Sequence, residues 1–220
     1  MNLFKYIFIF SNLSLFSGTQ VLSELVYQIR DPKTDSAHFR CTLEKIGECL
    51  ARDVLEELNT KEVTIETLTG VEAKHTLLDE RPVLVTILRA GLPLNAGVHN
   101  IFPNAEVGFL AMSRNEETLK AEVDYVALPD LSNHSVIITD TMVATGGSLI
   151  DAIELVKEKS PSRIFVIAAV ASKPGIERIL KQHPDIKIYS AVIDPALNEK
   201  GYIIPGLGDA GDRSYGNKQP

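Results

Sequence analysis

The chain has 220 residues, 45% of them apolar, and a formal net charge of −7. That length and apolar content support one large domain and exclude a disordered chain. The acidic balance argues against broad nucleic-acid binding, which needs a basic surface, but an acidic protein can still hold an anion on local N–H groups and a few cations.

The chain opens with an apolar leader, residues 1–24, followed by a single domain over residues 25–220. The leader's start, MNLFKYIFIFSNLSLFSG, resembles a signal peptide, but Ser11, Asn12 and Ser14 interrupt it and no A-x-A-like cleavage site follows. It is too short to span a membrane, so it reads as a segment that packs on the domain or on a partner subunit. No membrane association is expected. From Ala37 to Leu58 the apolar residues Phe39, Leu43, Ile46, Leu50, Val54 and Leu58 step by three or four, which predicts a helix that Asp35 or Ser36 can cap. Cys41 and Cys49 lie two turns apart on it, too far to bridge, and read as reduced cysteines of a cytoplasmic protein. EVTIETL and VEAKHTLL flank Thr69-Gly70 and predict a hairpin. PVLVTIL (82–88) predicts a buried strand, RAGLPLNAGVHNIF a turn and a helix, and EVGFLAM (106–112) another strand. A polar segment follows, with VDYVALP as its returning strand. SVIITD (135–140) is the next strand and Ser148 to Glu158 a helix with Leu149, Ile153 and Val156 on one face. RIFVIAAVA (163–171), PGIERILKQ (174–182) and IKIYSAVID (186–194) predict strand, helix and strand. The remaining tail is rich in Gly and Pro and reads as largely loop.

Strands alternating with helices predict an α/β fold, a mostly parallel central sheet flanked by helices on both faces. Ligands of such sheets sit beyond the carboxyl ends of the strands. The turns after Leu88, Asp140 and Asp194 and the polar segment after Met112 therefore place four polar loops where one site could form.

The stretch TDTMVATGGS (139–148) is the most informative. Gly146 and Gly147 let backbone N–H groups turn into a hollow, Thr145 and Ser148 add hydroxyls, and the following helix adds its positive end. A phosphate monoester suits such a cradle. The loop lacks the G-x-x-x-x-G-K-[ST] pattern and is not G-x-G-x-x-G, so neither a Walker A site nor a dinucleotide site is implied. Asp140 should avoid a phosphate, but it can accept hydrogen bonds from ribose hydroxyls, and the bland alternative is that it caps a turn. Arg89, before Ala90-Gly91, is placed to fork onto phosphate oxygens or to make a surface ion pair. Arg114 lies in the polar segment, where Glu116 and Glu117 could simply balance it. GYIIPGLGDAGD (201–212) makes either a shaped, hydrogen-bonding loop or a disordered terminus; Tyr202, Ile203, Ile204 and Leu207 oppose the second.

Together these stretches resemble the type I phosphoribosyltransferases, and within them the uracil phosphoribosyltransferase family. TDTMVATGGS is similar to the signature for phosphoribosyl pyrophosphate (PRPP), usually D-P-M-L-A-T-G-G-S; ILRAGLPL (87–94) to the pyrophosphate loop; SRNEETL (113–119) to the mobile arm, usually Y-R-[DN]-E-E-T-L; and residues 201–212 to the uracil-binding tail. IRDPKTDSAHFR (29–40) resembles the family's first helix and lead-in. The resemblance covers roughly Leu25 to Gly216, with the arm about 113–128 and the tail about 195–216. It implies a type I phosphoribosyltransferase-like fold with a β-arm and a C-terminal base-binding loop region, and transfer of a phosphoribosyl group from PRPP to uracil. It further implies Arg89, Arg114, Asp140, Thr141, Met142, Val143, Ala144, Thr145, Gly146, Gly147, Ser148 and Asp209 around PRPP, with Arg89, Arg114 and Asp209 catalytic. Uracil would meet Ile203, Gly208, Asp209 and Ala210, with Asp212 and Arg213 bracing the loop and a cis peptide at Leu88–Arg89. Mg²⁺ would arrive on PRPP, and no resident metal, nucleic-acid or membrane partner is implied. A homodimer or higher homo-oligomer is implied, and GTP is a possible activator. Thr141 and Ser113 depart from the usual Pro and Tyr. Two other readings are a purine or orotate phosphoribosyltransferase, which the tail opposes, and a nucleotide-sensing RNA-binding regulator on the same fold, which the net charge of −7 opposes.

Overall fold

The computed structural model describes residues 13–15, 20–114 and 121–217. Most of the leader and the arm residues 115–120, with Glu116 and Glu117, lie outside the described residues. In chain order the elements are β1 (Leu13–Leu15), α1 (Gln20–Arg30), α2 (Ser36–Leu55), β2 (Thr60–Glu66), β3 (Glu72–Leu78), β4 (Val83–Leu88), α3 (Leu92–Ile101), β5 (Val107–Arg114), β6 (Ala121–Ala127), β7 (Ser135–Val143), α4 (Gly147–Lys157), β8 (Arg163–Ser172), α5 (Lys173–Gln182), β9 (Lys187–Asp194), β10 (Ala196–Leu197), β11 (Ile203–Ile204) and α6 (Ala210–Tyr215).

Among the described residues, seven strands form the central sheet in the order β1-β9-β8-β7-β4-β5-β6. All neighbours are parallel except β5 and β6, whose antiparallel pairing makes the arm. The central strands read as continuous apolar runs because helices cover both faces. Their alternation sorts side chains between two cores. Leu84, Ile137 and Phe165 point to a core shared with α1, α2 and α3, while Val83, Val85, Val136, Ile138, Ile164 and Val166 face the core under α4 and α5. α2 is capped by Asp35, whose carboxylate accepts from His38 N at 2.9 Å. It packs so closely on α3 that a Cβ at Gly47 or Gly97 would strike the facing helix backbone.

The structure departs from the expected elements in four places. β7 runs on to Val143, three residues past Asp140, because Met142 pairs with Val170 and Val143 with Ala171 of β8. α1 was legible only as part of the family-like lead-in; Leu22, Leu25 and Ile29 bury it against α2 and β9. β1 adds a parallel edge strand from the apolar leader. The tail holds a small β10–β11 ribbon and the helix α6, so it is less irregular than its composition suggests.

α3 leaves β4 toward one core and α4 leaves β7 toward the other. The adjacent pair β4–β7 is thus where the connections diverge, the place at which parallel sheets open a binding crevice.

Candidate active site

Three segments meet at that crevice. The first is the turn after β4. Its Leu88–Arg89 peptide is cis, as expected. Gly91 is wedged between strands: a Cβ there would lie 2.7 Å from the Ile87 and Thr139 carbonyl oxygens and from Thr86 Oγ1. Only glycine fits. The second segment is the end of β7 and the turn Ala144–Gly146 into α4. Gly146 has φ 78°, a left-handed conformation that suits glycine, and caps α4 without a side-chain bond. The third is α6, whose N-cap Asp209 accepts from Asp212 N at 2.9 Å.

Two contacts tie the segments together. Thr141 Oγ1 donates to Ala90 O at 2.6 Å. Arg89 Nη2 donates to Asp212 Oδ1 at 3.0 Å. Gly211 makes room for the second contact: a Cβ there would come within 3.2 Å of Asp209 Oδ1 and 3.6 Å of Arg89 Nη2. Arg89 Nε is buried and has no hydrogen-bond partner among the described residues. A buried N–H without an acceptor is costly, and an anion in the crevice would supply the acceptor.

Asp140 is half-buried beside this junction. Burial pushes its carboxyl up to about 7, against the smaller lowering from the Met142 and Thr141 backbone N–H groups. The Met142 bond is long, at 3.4 Å. The cradle turn is held from outside by α5. Ser172 Oγ donates to Ala144 O at 2.5 Å while accepting from Gly175 N at 2.9 Å, and Arg178 Nη1 donates to Thr145 O at 3.3 Å. Thr145, Gly147 and Ser148 remain partly exposed at the mouth of the turn, whereas Thr141 and Val143 are buried and Met142 and Ala144 half-buried.

A family model described as uracil phosphoribosyltransferase matches residues 16–217. The chain belongs to the uracil phosphoribosyltransferase family. A uracil phosphoribosyltransferase from Clostridium botulinum is 43% identical over 205 residues, covering 91% of this chain and 98% of the relative. One from Clostridium kluyveri is 42% identical with the same coverage. The solved structure of AQ2163 protein from Aquifex aeolicus matches with a TM-score of 0.87 at 36% identity, covering 93% of this chain and 98% of that one. The uracil phosphoribosyltransferase family is one of glycosyltransferase-type enzymes, and the sheet just described is its type I phosphoribosyltransferase architecture.

The remaining family-like residues lie on β5 and in the tail. β5 pairs with β4 at Leu88↔Ala111 and continues to Arg114. The Arg114 backbone therefore lies roughly 10 Å beyond the end of β4 on the crevice side. In the tail, Ile203 and Ala210 are buried while Gly208, φ 86°, and Asp209 are exposed. The Ile203, Gly208 and Ala210 backbones thus belong to a folded loop, not a frayed terminus.

The supports that Arg30, Arg40 and Asp194 give the tail escaped the sequence reading. Asp194 Oδ1 accepts from Arg30 Nη2 at 2.6 Å and its Oδ2 from Gly206 N at 2.9 Å. Arg213 braces the tail as expected, donating to Leu207 O, Ile29 O and Asp31 O, and stacks 4.3 Å above Phe39. Arg40 Nη1 donates to Ser214 O at 2.6 Å. The bonds from Arg30 to Asp194, from Arg40 to Ser214 and from Arg213 to Ile29 and Asp31 join residues more than 160 apart in sequence, so no local pattern announces them. Asp194 at the end of an apolar strand was the one available hint.

Proposed function

We propose that this chain transfers the 5-phosphoribosyl group of PRPP to N1 of uracil, giving UMP and pyrophosphate in pyrimidine salvage. The observation that carries the reading is the buried Arg89 Nε without an acceptor among the described residues, at the junction where the 88–91 turn, the end of β7 and α6 are joined. In this reading the 5-phosphate sits on Ala144 to Ser148, the ribose hydroxyls meet Asp140, and the pyrophosphate meets Arg89. Uracil is small and nearly neutral, so backbone groups of Ile203, Gly208 and Ala210 suit its edges.

The C1′–oxygen bond of PRPP breaks, pyrophosphate keeps the electron pair, and N1 of uracil bonds to C1′ and loses its proton. Charge builds up on the leaving pyrophosphate, and a fixed guanidinium stabilises it without reorganising. Arg89 is fixed in this way by Asp212 and by the wedge of Gly91. Arg114 on the arm would add a second cation and help exclude water from the ribosyl cation. Mg²⁺ bound to PRPP oxygens would neutralise charge while keeping much of its water. The exposed Asp209 carboxylate, next to Arg89 across Gly211, would accept from such a water.

A homo-oligomer fits the apolar residues Ile65, Leu68, Val71 and Leu77, which lie exposed on the β2–β3 hairpin, outside the central sheet. The free thiols Cys41 and Cys49 fit a reducing cytoplasm, and no described helix is long and apolar enough to cross a membrane.

Purified protein given PRPP, Mg²⁺ and labelled uracil should form UMP, and hypoxanthine should not compete. The same assay with and without GTP tests activation by that nucleotide. Protein that binds PRPP but makes no UMP would refute the reading.

A further inference from the structure

The β4–β7 ladder runs from Val83↔Val136 to Thr86↔Thr139 and stops there, although β4 continues to Leu88 and β7 to Val143. Past Thr139 the two strands are held together by something other than backbone pairing. Thr141 is fully buried at this point, and its hydroxyl crosses the gap to the Ala90 carbonyl at 2.6 Å. Ala90 follows Arg89 directly, and Thr141 follows Asp140 directly. One side-chain hydrogen bond therefore sets the distance between the cation proposed for the pyrophosphate end and the carboxylate proposed for the ribose. The Thr141 hydroxyl is thus the side-chain link recorded between the two turns. A proline, the usual residue of the family signature at this position, has neither the hydroxyl nor the N–H. The tie is thus a property of this chain's own sequence.

We propose that the Thr141 hydroxyl is a positioning group that holds the Arg89–Ala90 turn in register with the Asp140–Ser148 cradle, and so tunes recognition of the pyrophosphate end of PRPP. The proposal rests on the phosphoribosyltransferase reading of the site. Thr141 is buried beneath the turn and acts through Ala90, so it needs no contact with the substrate.

The geometry predicts a selective defect. UMP has the 5-phosphate and ribose but no pyrophosphate, so it uses the cradle without the Arg89 turn. PRPP uses both. Thr141→Val keeps the shape and the N–H but removes the hydroxyl. Thr141→Ser keeps the hydroxyl. Calorimetric titration of each variant with PRPP–Mg²⁺ and with UMP separates the two ligands. The expected result is a loss of PRPP affinity of about fivefold or more in Thr141→Val, the scale of one buried hydrogen bond. UMP affinity should stay within about twofold and Thr141→Ser should restore PRPP binding. In turnover assays the KM for PRPP should rise while that for uracil stays put. Equal weakening of PRPP and UMP, or unchanged PRPP affinity in Thr141→Val, overturns the proposal. If Thr141→Val does not fold, Thr141→Ala set against Thr141→Ser provides the same comparison. Wild-type protein that binds neither PRPP nor UMP would overturn the phosphoribosyltransferase reading itself, an outcome distinct from a variant without a defect.

Discussion

Replacing Asp194 with Asn tests how the C-terminal tail, proposed to bind the base, is held. Asp194 ends β9 and is 3% exposed. Its two oxygens are divided between Arg30 Nη2 at 2.6 Å and Gly206 N at 2.9 Å, so one carboxylate pins the tail to the end of α1. Asn is nearly isosteric but has only one acceptor oxygen. If that oxygen serves Gly206, the amide NH₂ faces the guanidinium, donor against donor, and Arg30 loses its counter-charge. Removing one partner of a buried pair costs ~3–5 kcal/mol. The Arg30 side chain is 24% exposed, and water offsets part of this, which leaves about 2–4 kcal/mol. For a domain of this size that is a fall in Tm of roughly 5–15 °C. Guanidinium denaturation should show a lower midpoint at unchanged slope. Gly206 leads into Leu207 and Gly208, so the KM for uracil should rise several-fold while that for PRPP changes little. A loss below about 0.5 kcal/mol with unchanged KM for uracil would refute the argument, since a surface ion pair behaves that way. A parallel rise in both KM values would show that the tail is not held separately from the rest of the site.

Arg89→Ala should lower kcat/KM for PRPP by roughly 10²–10³, the range for removing one charge-stabilising donor. The melting temperature should move little, because its pair with Asp212 is partly exposed at 37% and 32% and such pairs contribute about 1 kcal/mol or less. Gly175→Ala would drive a Cβ into the Ala144 carbonyl oxygen. It should destabilise by about 1–3 kcal/mol, the cost of overpacking, and weaken UMP and PRPP together in a binding titration. Asp140 gives a pH signature. Its folded carboxyl is raised to about 7 from 3.8, so the folded state holds a proton that the unfolded state has released. Its contribution to stability is therefore full below pH 3.8 and is lost as pH rises through about 7. Asp140→Asn should remove that slope, read as the difference in denaturation midpoint between the two proteins across this window. If Asp140 holds the ribose as proposed, PRPP affinity of the free protein should improve over the same rise in pH, because an ionised carboxylate would accept from both ribose hydroxyls; a flat difference would refute this.

The turns that form the candidate site were legible because their backbone chemistry is local. Gly146 and Gly147 before an apolar-periodic helix, and Arg89 before Ala90-Gly91, each announce a backbone arrangement within a few residues. The extension of β7 to Val143 was not legible, since TMV reads as turn until β8 supplies pairing partners at Val170 and Ala171. The supports of the tail were equally hidden. Arg30, Arg40 and Asp194 look like ordinary surface charges in their own segments, and acquire a role only when α1 and α2 come to lie beside α6 and the turn at Gly206.

The sequence by itself determined the alternating strands and helices, the two-faced apolar core and the family, because periodicity and short motifs are properties of neighbouring residues. Tertiary structure alone decided which polar groups meet. It brought Arg89 to Asp212, Thr141 to Ala90 and Asp194 to both Arg30 and Gly206. The reason is that a parallel sheet joins its strands through long crossovers, so the carboxyl ends that share a site are far apart along the chain. Thr141 shows both halves: its sequence marks a departure from the usual proline, and only the fold shows where its hydroxyl goes.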